Sequence, residues 1–349
     1  MPAIPASGPP VVVSVIVPAR NEEASLGACL ASLVGQPEVS YEILVVDDHS
    51  DDRTAEIARS FSEVRLLSAP DLRAGWTGKN NAVAAGAADA HGTWLLFTDA
   101  DTVHLPGSLQ ASLNEAHQQH ADLLSYSPQQ MLETFWEKAV MPVIFAELAV
   151  SFRPSDISDP ASSVAAANGQ YILLRRDVYE RVGGHTAVAG ELLEDVALAR
   201  AVKRAGYRIF FRYGSDRVRT RMYRSFQQLR EGWTKNLVLL FPSPVNLALL
   251  RFVEGLLVAW GLCIFLLALT RNQPWMALLG LIPPLVTFVR LRRAHSAFTT
   301  TALALFGLPV FSYLLLRSRR FHLQRRVSWK GRQYPGPATN VNPESELSV

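Results

Sequence analysis

Between residues 11 and 98 the chain alternates short β-branched runs with stretches of helical periodicity, and that alternation restricts it to α/β architectures. Val11 to Val17 is a strand pattern that stops at Pro18, and Glu23 to Val34 carries Leu26, Leu30 and Leu33 on one helical face. Glu42 to Val46 ends at Asp47-Asp48, after which Asp51 to Phe61 reads as a helix with Asp51 or Asp52 as its cap. Val64 to Leu67 is a third strand, Lys79 to Ala90 an alanine-rich helix and Thr93 to Thr98 a fourth strand. Strands joined through helices imply a doubly wound, mostly parallel sheet. Such sheets bind ligands beyond the carboxyl ends of their strands. Pro18-Ala19-Arg20-Asn21-Glu22, Asp47-Asp48 and Asp99-Ala100-Asp101 fall at three of those ends, so three polar clusters are expected around one crevice.

The third cluster has the most specific geometry. Side chains one residue apart on an extended backbone share a face, so Asp99 and Asp101 can address one cation or polar ligand just past Trp94-Leu95-Leu96-Phe97. Taken alone, two aspartates after a strand are equally a turn with a helix cap. Their company favours chemistry: Asp48 ends a neighbouring strand, Lys79 opens the next helix in Gly78-Lys79-Asn80, and Asp195 lies on a later helix from about Glu191 to Ala205. Carboxylates, a lysine and a divalent cation together suit a diphosphate, whose oxygens bridge a hard metal. Each partner also has a plain structural reading. Lys79 is a solvated helix-start residue, Glu194-Asp195 offsets a helix dipole, and His185 after Gly183-Gly184 is a loop residue.

Beyond residue 217 the composition changes. Of 34 Lys and Arg against 31 Asp and Glu, the arginines gather in the second half beside long apolar runs, which suits an anionic membrane surface. No basic stretch carries the interleaved aromatics of a nucleic-acid site, so no nucleic-acid partner is expected. Asn246–Thr270, Pro274–Val289 and Ala297–Leu316 are apolar, and the first is long enough to cross about 30 Å of hydrocarbon. Arg290 to Arg293 and the tail from Arg317 to Arg332 are basic, which places both in the cytoplasm by the positive-inside tendency. The opening MPAIPASGPP lacks a signal-peptide pattern, so the first domain is expected to stay in the cytoplasm as well. Three full crossings do not satisfy all of this. Ala297–Leu316, broken by Gly307 and Pro309, is therefore the candidate re-entrant hairpin, and Pro283-Pro284 is expected to kink the second span.

The expected organisation is a catalytic domain at residues 1–235, a membrane region at 236–316 with two to four crossings, and a basic cytoplasmic tail at 317–349. Within the first part, 132–152 is expected as an amphipathic helix on the membrane or on the domain, 153–163 as a mobile loop, 165–174 as a strand around Asn168-Gly169, and 207–213 as another strand. Cys29 and Cys263 are too far apart in character for a metal spacing or a disulfide framework, which fits a reducing compartment.

With these motifs in this order, from Val13 through about Arg230, the chain resembles family 2 glycosyltransferases of the GT-A fold. Gly75-Trp76-Thr77-Gly78-Lys79, Gly183-Gly184-His185 and the tail Ser328-Trp329-Lys330-Gly331-Arg332-x-Tyr334 look like the membrane-bound branch that includes carotenoid (diaponeurosporenoate) and hopanoid-associated glycosyltransferases. The resemblance implies that Pro18, Arg20, Asn21, Glu22 and Asp48 line the nucleotide pocket, with Asp48 accepting from uracil, and that Lys79 lies near the uridine diphosphate. It implies Asp101 as the main ligand of a Mg or Mn divalent cation, Asp99 holding the ribose or sharing the metal, and Asp195 as the catalytic base of an inverting reaction. The partners it implies are a UDP-sugar, a lipid acceptor of carotenoid, hopanoid or polyprenyl type, and membrane lipids. The setting is a multi-pass protein of the cytoplasmic membrane with its catalytic domain facing the cytoplasm. Processive members carry Gln-x-x-Arg-Trp, whereas here Arg230 and Trp233 are separated by two residues, which favours transfer of one sugar. A processive polysaccharide synthase and a catalytically silent sugar-nucleotide-binding membrane protein are the alternatives.

Overall fold

A computed structural model describes residues 11–294 and 297–334. The opening stretch considered above for a leader, and the part of the expected 317–349 tail beyond residue 334, lie outside the described residues. The chain divides into two compact units, Met1–Met131 with Pro154–Met222, and Leu132–Arg153 with Tyr223–Val349.

The first unit is built on strands β1 (Val13–Ala19), β2 (Tyr41–Asp47), β3 (Val64–Ser68) and β4 (Trp94–Phe97), with helices α1 (Leu26–Leu33), α2 (Thr54–Arg59) and α3 (Gly78–Asp89) between them. β5 (Thr102–His104), α4 (Ser108–Gln118), β6 (Leu123–Ser127) and β7 (Gln129–Gln130) follow. A seven-stranded sheet has the order β3-β2-β1-β4-β8-β6-β9, with β8 (Ile172–Arg175) and β9 (Ile209–Tyr213) contributed from later in the chain. β8 runs against both of its neighbours, and the other pairings are parallel. This is the mostly parallel α/β sheet that the alternation predicts, with one antiparallel strand, β8. A second sheet of order β5-β10-β7, where β10 is Val218–Thr220, sits after the Asp99 turn.

Both faces of the large sheet are covered, as continuous apolar strands require. Val13, Val15 and Val17 cluster with Leu26, Cys29, Leu30 and Leu33 on one face. Ile16 and Val46 meet α3 on the other, where a Cβ on Gly86 would lie 2.7 and 2.8 Å from their methyl groups. Each of these fully buried aliphatic chains contributes roughly 1.5–3 kcal/mol. β1 continues through Pro18 to Ala19. Pairing with β4 has already ended at Ile16 opposite Phe97, so on that side the missing proline N–H leaves no ladder partner unsatisfied.

Three local expectations change. The helix anticipated at 51–61 spans only Thr54–Arg59, with Arg53 at its N-cap position; Asp52, one residue earlier, accepts from the Thr54 N–H at 2.9 Å in the turn that precedes it. The strand anticipated at 165–174 begins at Ile172, since the Asn168 N–H donates to Ser125 Oγ rather than to a ladder. The polar 153–163 segment contains a short helix, α6 (Pro154–Ser158), held by Lys203 of α8 (Glu194–Arg204), whose ammonium donates to the carbonyls of Ile157 and Val164 at 2.9 and 2.6 Å. Between β8 and α8 lie α7 (Arg176–Arg181) and a single 3-10 turn at Gly184–Thr186.

The second unit is helical: α5 (Phe135–Ser151), α9 (Phe226–Leu240), α10 (Pro244–Thr270), α11 (Pro274–Leu291), α12 (Phe298–Ala304) and α13 (Leu308–Leu323), followed by the hairpin β11 (Val327–Trp329) and β12 (Arg332–Tyr334). Three apolar segments, Pro244–Thr270, Pro274–Ala294 and Phe298–Leu323, are long and apolar enough to cross a membrane. α10 and α11 touch through small residues, as lipid-embedded helices do, with a Cβ on Gly261 meeting the Gly280 carbonyl at 2.5 Å. α11 is one continuous helix through Pro283 and Pro284. Glu147, near the end of α5, has its partners within this unit. Arg251 donates to Glu147 at 3.2 Å, Arg251 and Arg290 reach Glu254 at 2.7 and 3.0 Å, and Arg290 also pairs with Glu147.

Candidate active site

The two loops that follow β1 and β2 are fastened to each other, which is how the first group of expected residues is positioned. Arg20 donates through Nη1 to the carbonyls of Asp48 and His49 at 2.5 and 3.2 Å. The Asn21 N–H donates to Ser50 Oγ at 3.0 Å and Asn21 Oδ1 accepts from the Asp51 N–H at 2.9 Å. The Glu22 N–H donates to Thr54 Oγ1 at 2.8 Å. Asn21 and His49 both take φ near +50°, a left-handed geometry that asparagine tolerates and that turns both loops sharply at the sheet edge. Asp48 is buried, and its N–H donates to the Ala19 carbonyl.

A second group forms around Lys79, at the start of α3. Its ammonium lies 2.7 Å from Asp99 Oδ1 and 2.6 Å from Glu194 Oε1. Burial opposes the charge on Lys79, but the two carboxylates outweigh it and hold the ammonium well above the usual lysine range. The adjacent Asp195 opens α8 with both oxygens held: Oδ2 accepts from the Gly169 N–H at 2.9 Å and Oδ1 from the Val196 N–H at 2.8 Å. Burial pushes Asp195 up to about 6, with Glu194 adding to the rise while Lys79 and the two N–H donors pull against it. A carboxyl poised there is ionised at neutral pH and remains basic enough to accept a proton.

Pro18, Lys79, Phe97, Asp99, His185 and Glu194 line one small cleft, with Gly169 on its wall. The cleft passes so close to Gly169 that a Cβ there would lie 3.1 Å from Lys79 Nζ and 3.4 Å from Asp195 Oδ2. His185 is buried against Phe97 and Tyr179, donates its N–H to the Tyr179 hydroxyl at 3.1 Å, and is pushed down to about 4 by burial, so it is a neutral ring.

The structure therefore brings Pro18, Lys79, Asp99 and Asp195 together, and joins Arg20, Asn21, Glu22 and Asp48 in an adjoining pair of loops. Asp101 follows Asp99 in the same turn, and Cys29 beneath it donates to the Asp99 carbonyl at 3.8 Å, its thiol pushed up by burial and further by the carboxylates of Asp101, Glu22 and Asp99. Among the described residues no three His, Cys, Asp or Glu side chains converge as a metal cluster. Asp99 is engaged by Lys79, and Asp101 lies two residues on in the same turn, so the turn carries two carboxylates. The fit is to a hard cation that takes most of its oxygens from phosphate and water, as Mg²⁺ and Mn²⁺ do.

Sequence reasoning left two residues without a role. Glu194 is one: it looked like dipole compensation and instead anchors Lys79. Asn80 is the other. It is fully buried, and its amide nitrogen lies 2.8, 2.9 and 3.1 Å from the carbonyls of Val188, Ala189 and Glu191, the loop that leads into α8. The Thr77 N–H adds a bond to the Ala189 carbonyl. Thr77, within the Gly75-to-Lys79 motif, and Asn80, just after it, thus hold the segment that leads to Asp195.

A sheet of this order, with carboxylates and a lysine at its strand ends, defines a GT-A-type transferase fold. Residues 14–183 match the profile of Glycosyl transferase family 2, so the chain carries a glycosyltransferase domain of that type. It is 28% identical over 333 residues to the 4,4'-diaponeurosporenoate glycosyltransferase of Staphylococcus aureus (strain USA300), an alignment covering 92% of this chain and 88% of that one. Among solved structures, the mannosyltransferase PcManGT from Pyrobaculum calidifontis, in complex with GDP-Man and Mn²⁺, superposes with a TM-score of 0.53 at 17% identity, covering 91% of each chain, and so shares the fold.

Proposed function

We propose that this glycosyltransferase moves one sugar from a UDP-sugar to a lipid acceptor, with inversion, at the cytoplasmic face of a membrane. The observation that carries the reading is the placement of Lys79 between Asp99 and Glu194, directly beside an Asp195 whose two oxygens are already oriented. Arg20, Asn21, Glu22 and Asp48 hold the nucleotide, with Asp48 on the uracil edge. Lys79 faces the diphosphate, and Asp101, with Asp99 assisting or holding the ribose, would hold a Mg²⁺ or Mn²⁺. The cation, when bound, offsets the charge that builds on the departing diphosphate. Asp195 accepts the acceptor's proton as its oxygen attacks the anomeric carbon from the face opposite the leaving group, and inversion follows. A nucleotide-sugar donor agrees with the GDP-Man in the mannosyltransferase complex, and a lipid acceptor with the name of the staphylococcal relative.

The membrane arrangement belongs to the same reading. α10 and α11 form a hairpin whose large apolar side chains are exposed along its length. The third segment enters and returns. It starts with the Phe298 ring packed at a tilt against Phe288, near the end of α11, and reaches Gly255 of α10 through Leu308 and Pro309. It then runs back to α9, where the Ser318 hydroxyl donates to the Thr234 carbonyl at 2.8 Å and accepts from the Val238 N–H at 3.0 Å. Two crossings and one re-entrant hairpin keep the residues before α10 and after α13 on one side, the cytoplasmic side by the charge of Arg290, Arg292, Arg293 and Arg317. The test is mass spectrometry of membrane lipids after the full chain is expressed and supplied with a panel of labelled sugar nucleotides. A lipid carrying one added sugar supports the reading; a polymer or an unchanged lipid profile contradicts it.

A further inference from the structure

The Asp99-Ala100-Asp101 turn rests on four buried polar side chains to which the roles above assign nothing. Thr98, His104, Gln170 and Thr220 are at most 4% exposed. The Gln170 side-chain amide donates to Thr220 Oγ1 at 3.0 Å, and the Thr220 hydroxyl donates onward to the Asp101 carbonyl at 3.2 Å. The Thr98 hydroxyl donates to the Gln170 carbonyl at 2.8 Å and lies 3.1 Å from His104 Nε2. Because the Thr98 proton is directed at Gln170, His104 must present Nε2–H to Thr98, and the chain of donors runs without conflict from His104 to Thr98 to Gln170 and from Gln170 through Thr220 to Asp101.

Gln170 is also the residue after Gly169, whose N–H holds Asp195 Oδ2. One residue is therefore a peptide away from the base and two hydrogen bonds away from the cation-side aspartate. A buried polar chain of this kind adds little net stability over apolar packing of the same shape, but it fixes direction. Packing alone calls for valine or methionine at these positions. A hydroxyl and an amide are needed only if the Asp101 backbone must be held at one place.

We propose that Gln170 and Thr220 are positioning residues that fix the Asp101 turn relative to Asp195, so that a divalent cation on Asp101 and the diphosphate it bridges sit in register with the base. This rests on the assignment of Asp101 to the cation. The test uses the full chain in detergent and measures UDP binding by calorimetry with and without Mn²⁺, for wild type, Asp101→Asn, Thr220→Val, Thr220→Ser and Gln170→Glu. Thr220→Val keeps the shape and loses the donor, and Thr220→Ser restores it. Gln170→Glu leaves Thr220 in place but turns its hydroxyl toward the new carboxylate and away from Asp101. Thr220→Val and Gln170→Glu are expected to weaken Mn²⁺-dependent UDP binding about tenfold, the scale of one well-placed hydrogen bond, with Mn²⁺-free binding unchanged and Thr220→Ser within about twofold of wild type. If Asp101→Asn loses the Mn²⁺-dependent component while Thr220→Val or Gln170→Glu retains it, the positioning role is wrong and the cation assignment stands. If Asp101→Asn retains it, or wild type has none, the cation assignment itself is wrong and the positioning role falls with it. Equal loss of Mn²⁺-dependent and Mn²⁺-free binding, or loss in Thr220→Ser as well, points to packing and also overturns the proposal.

Discussion

Lys79 lies 2.6 Å from Glu194, the residue immediately before the candidate base, and this contact makes one carboxylate serve two neighbours. Glu194 anchors the ammonium proposed to face the leaving group, and its own charge helps to raise Asp195. Base strength and leaving-group electrostatics are thus linked through a single side chain.

That link has a pH signature. Asp195 must be ionised to accept a proton and stands at about 6, so kcat/KM should fall about tenfold per pH unit below that value. Glu194→Gln removes a charge that raises Asp195, so the inflection should move to lower pH. Lys79→Met removes one that lowers it and should move the inflection upward. Profiles of the three proteins check both directions, and an inflection that stays put in both variants contradicts the linkage.

Stability should depend on pH through the buried histidines. Burial holds His104 at about 3 and His185 at about 4, against an unfolded value near 6.5. Above 6.5 both states are neutral and the contribution is fully present. As pH falls toward 4 the unfolded chain takes up protons that the folded chain refuses, so stability is lost. Asp195, raised in the folded state, works the other way between about 6 and 4 and offsets part of the loss. Melting temperature should decline from pH 6.5 to 4, and His185→Gln should decline less steeply.

Asn80 offers a test of how the base is delivered. Asn80→Ala leaves the carbonyls of Val188, Ala189 and Glu191 without their amide donor in a buried site, at a cost of about 3 kcal/mol in denaturant unfolding. Asn80→Asp should cost more, because it turns a carboxylate oxygen toward carbonyl oxygens. Since the loop leads into α8, kcat should drop further than UDP affinity does in both variants.

The proposed returning path of Phe298–Leu323 is checked by single cysteines in a background lacking Cys29 and Cys263. A membrane-impermeant maleimide should reach Gln273→Cys from one side of sealed vesicles and Leu323→Cys from the other. Labelling of both from the same side would mean that the third segment crosses.

What the sequence made legible was whatever is local. β-branched runs ending in polar residues located four strands of the large sheet, and the spacing of Leu26, Leu30 and Leu33 located the face of α1 that packs on Val13, Val15 and Val17. Contacts between distant segments were not legible. Residues 153–163 have the composition of a loop, and Lys203 and Phe211, more than forty residues later, hold part of them as a helix. The charges on α5 looked unsuited to an apolar setting because Arg251 and Arg290 lie over a hundred residues away. Asp99, Asp101 and Asp195 stand in motifs, whereas Gln170 and Thr220 are fifty residues apart and belong to none.

The central claim, that Asp195 is the base in transfer of one sugar to a lipid, is tested most directly by comparing wild type and Asp195→Asn, each as full chain in vesicles, with labelled UDP-sugar and membrane lipid extract. Wild type should form a lipid carrying one sugar. Asp195→Asn should bind UDP as wild type does and form that product about 10²–10⁴ times more slowly. Product formation by Asp195→Asn at the wild-type rate would contradict the account.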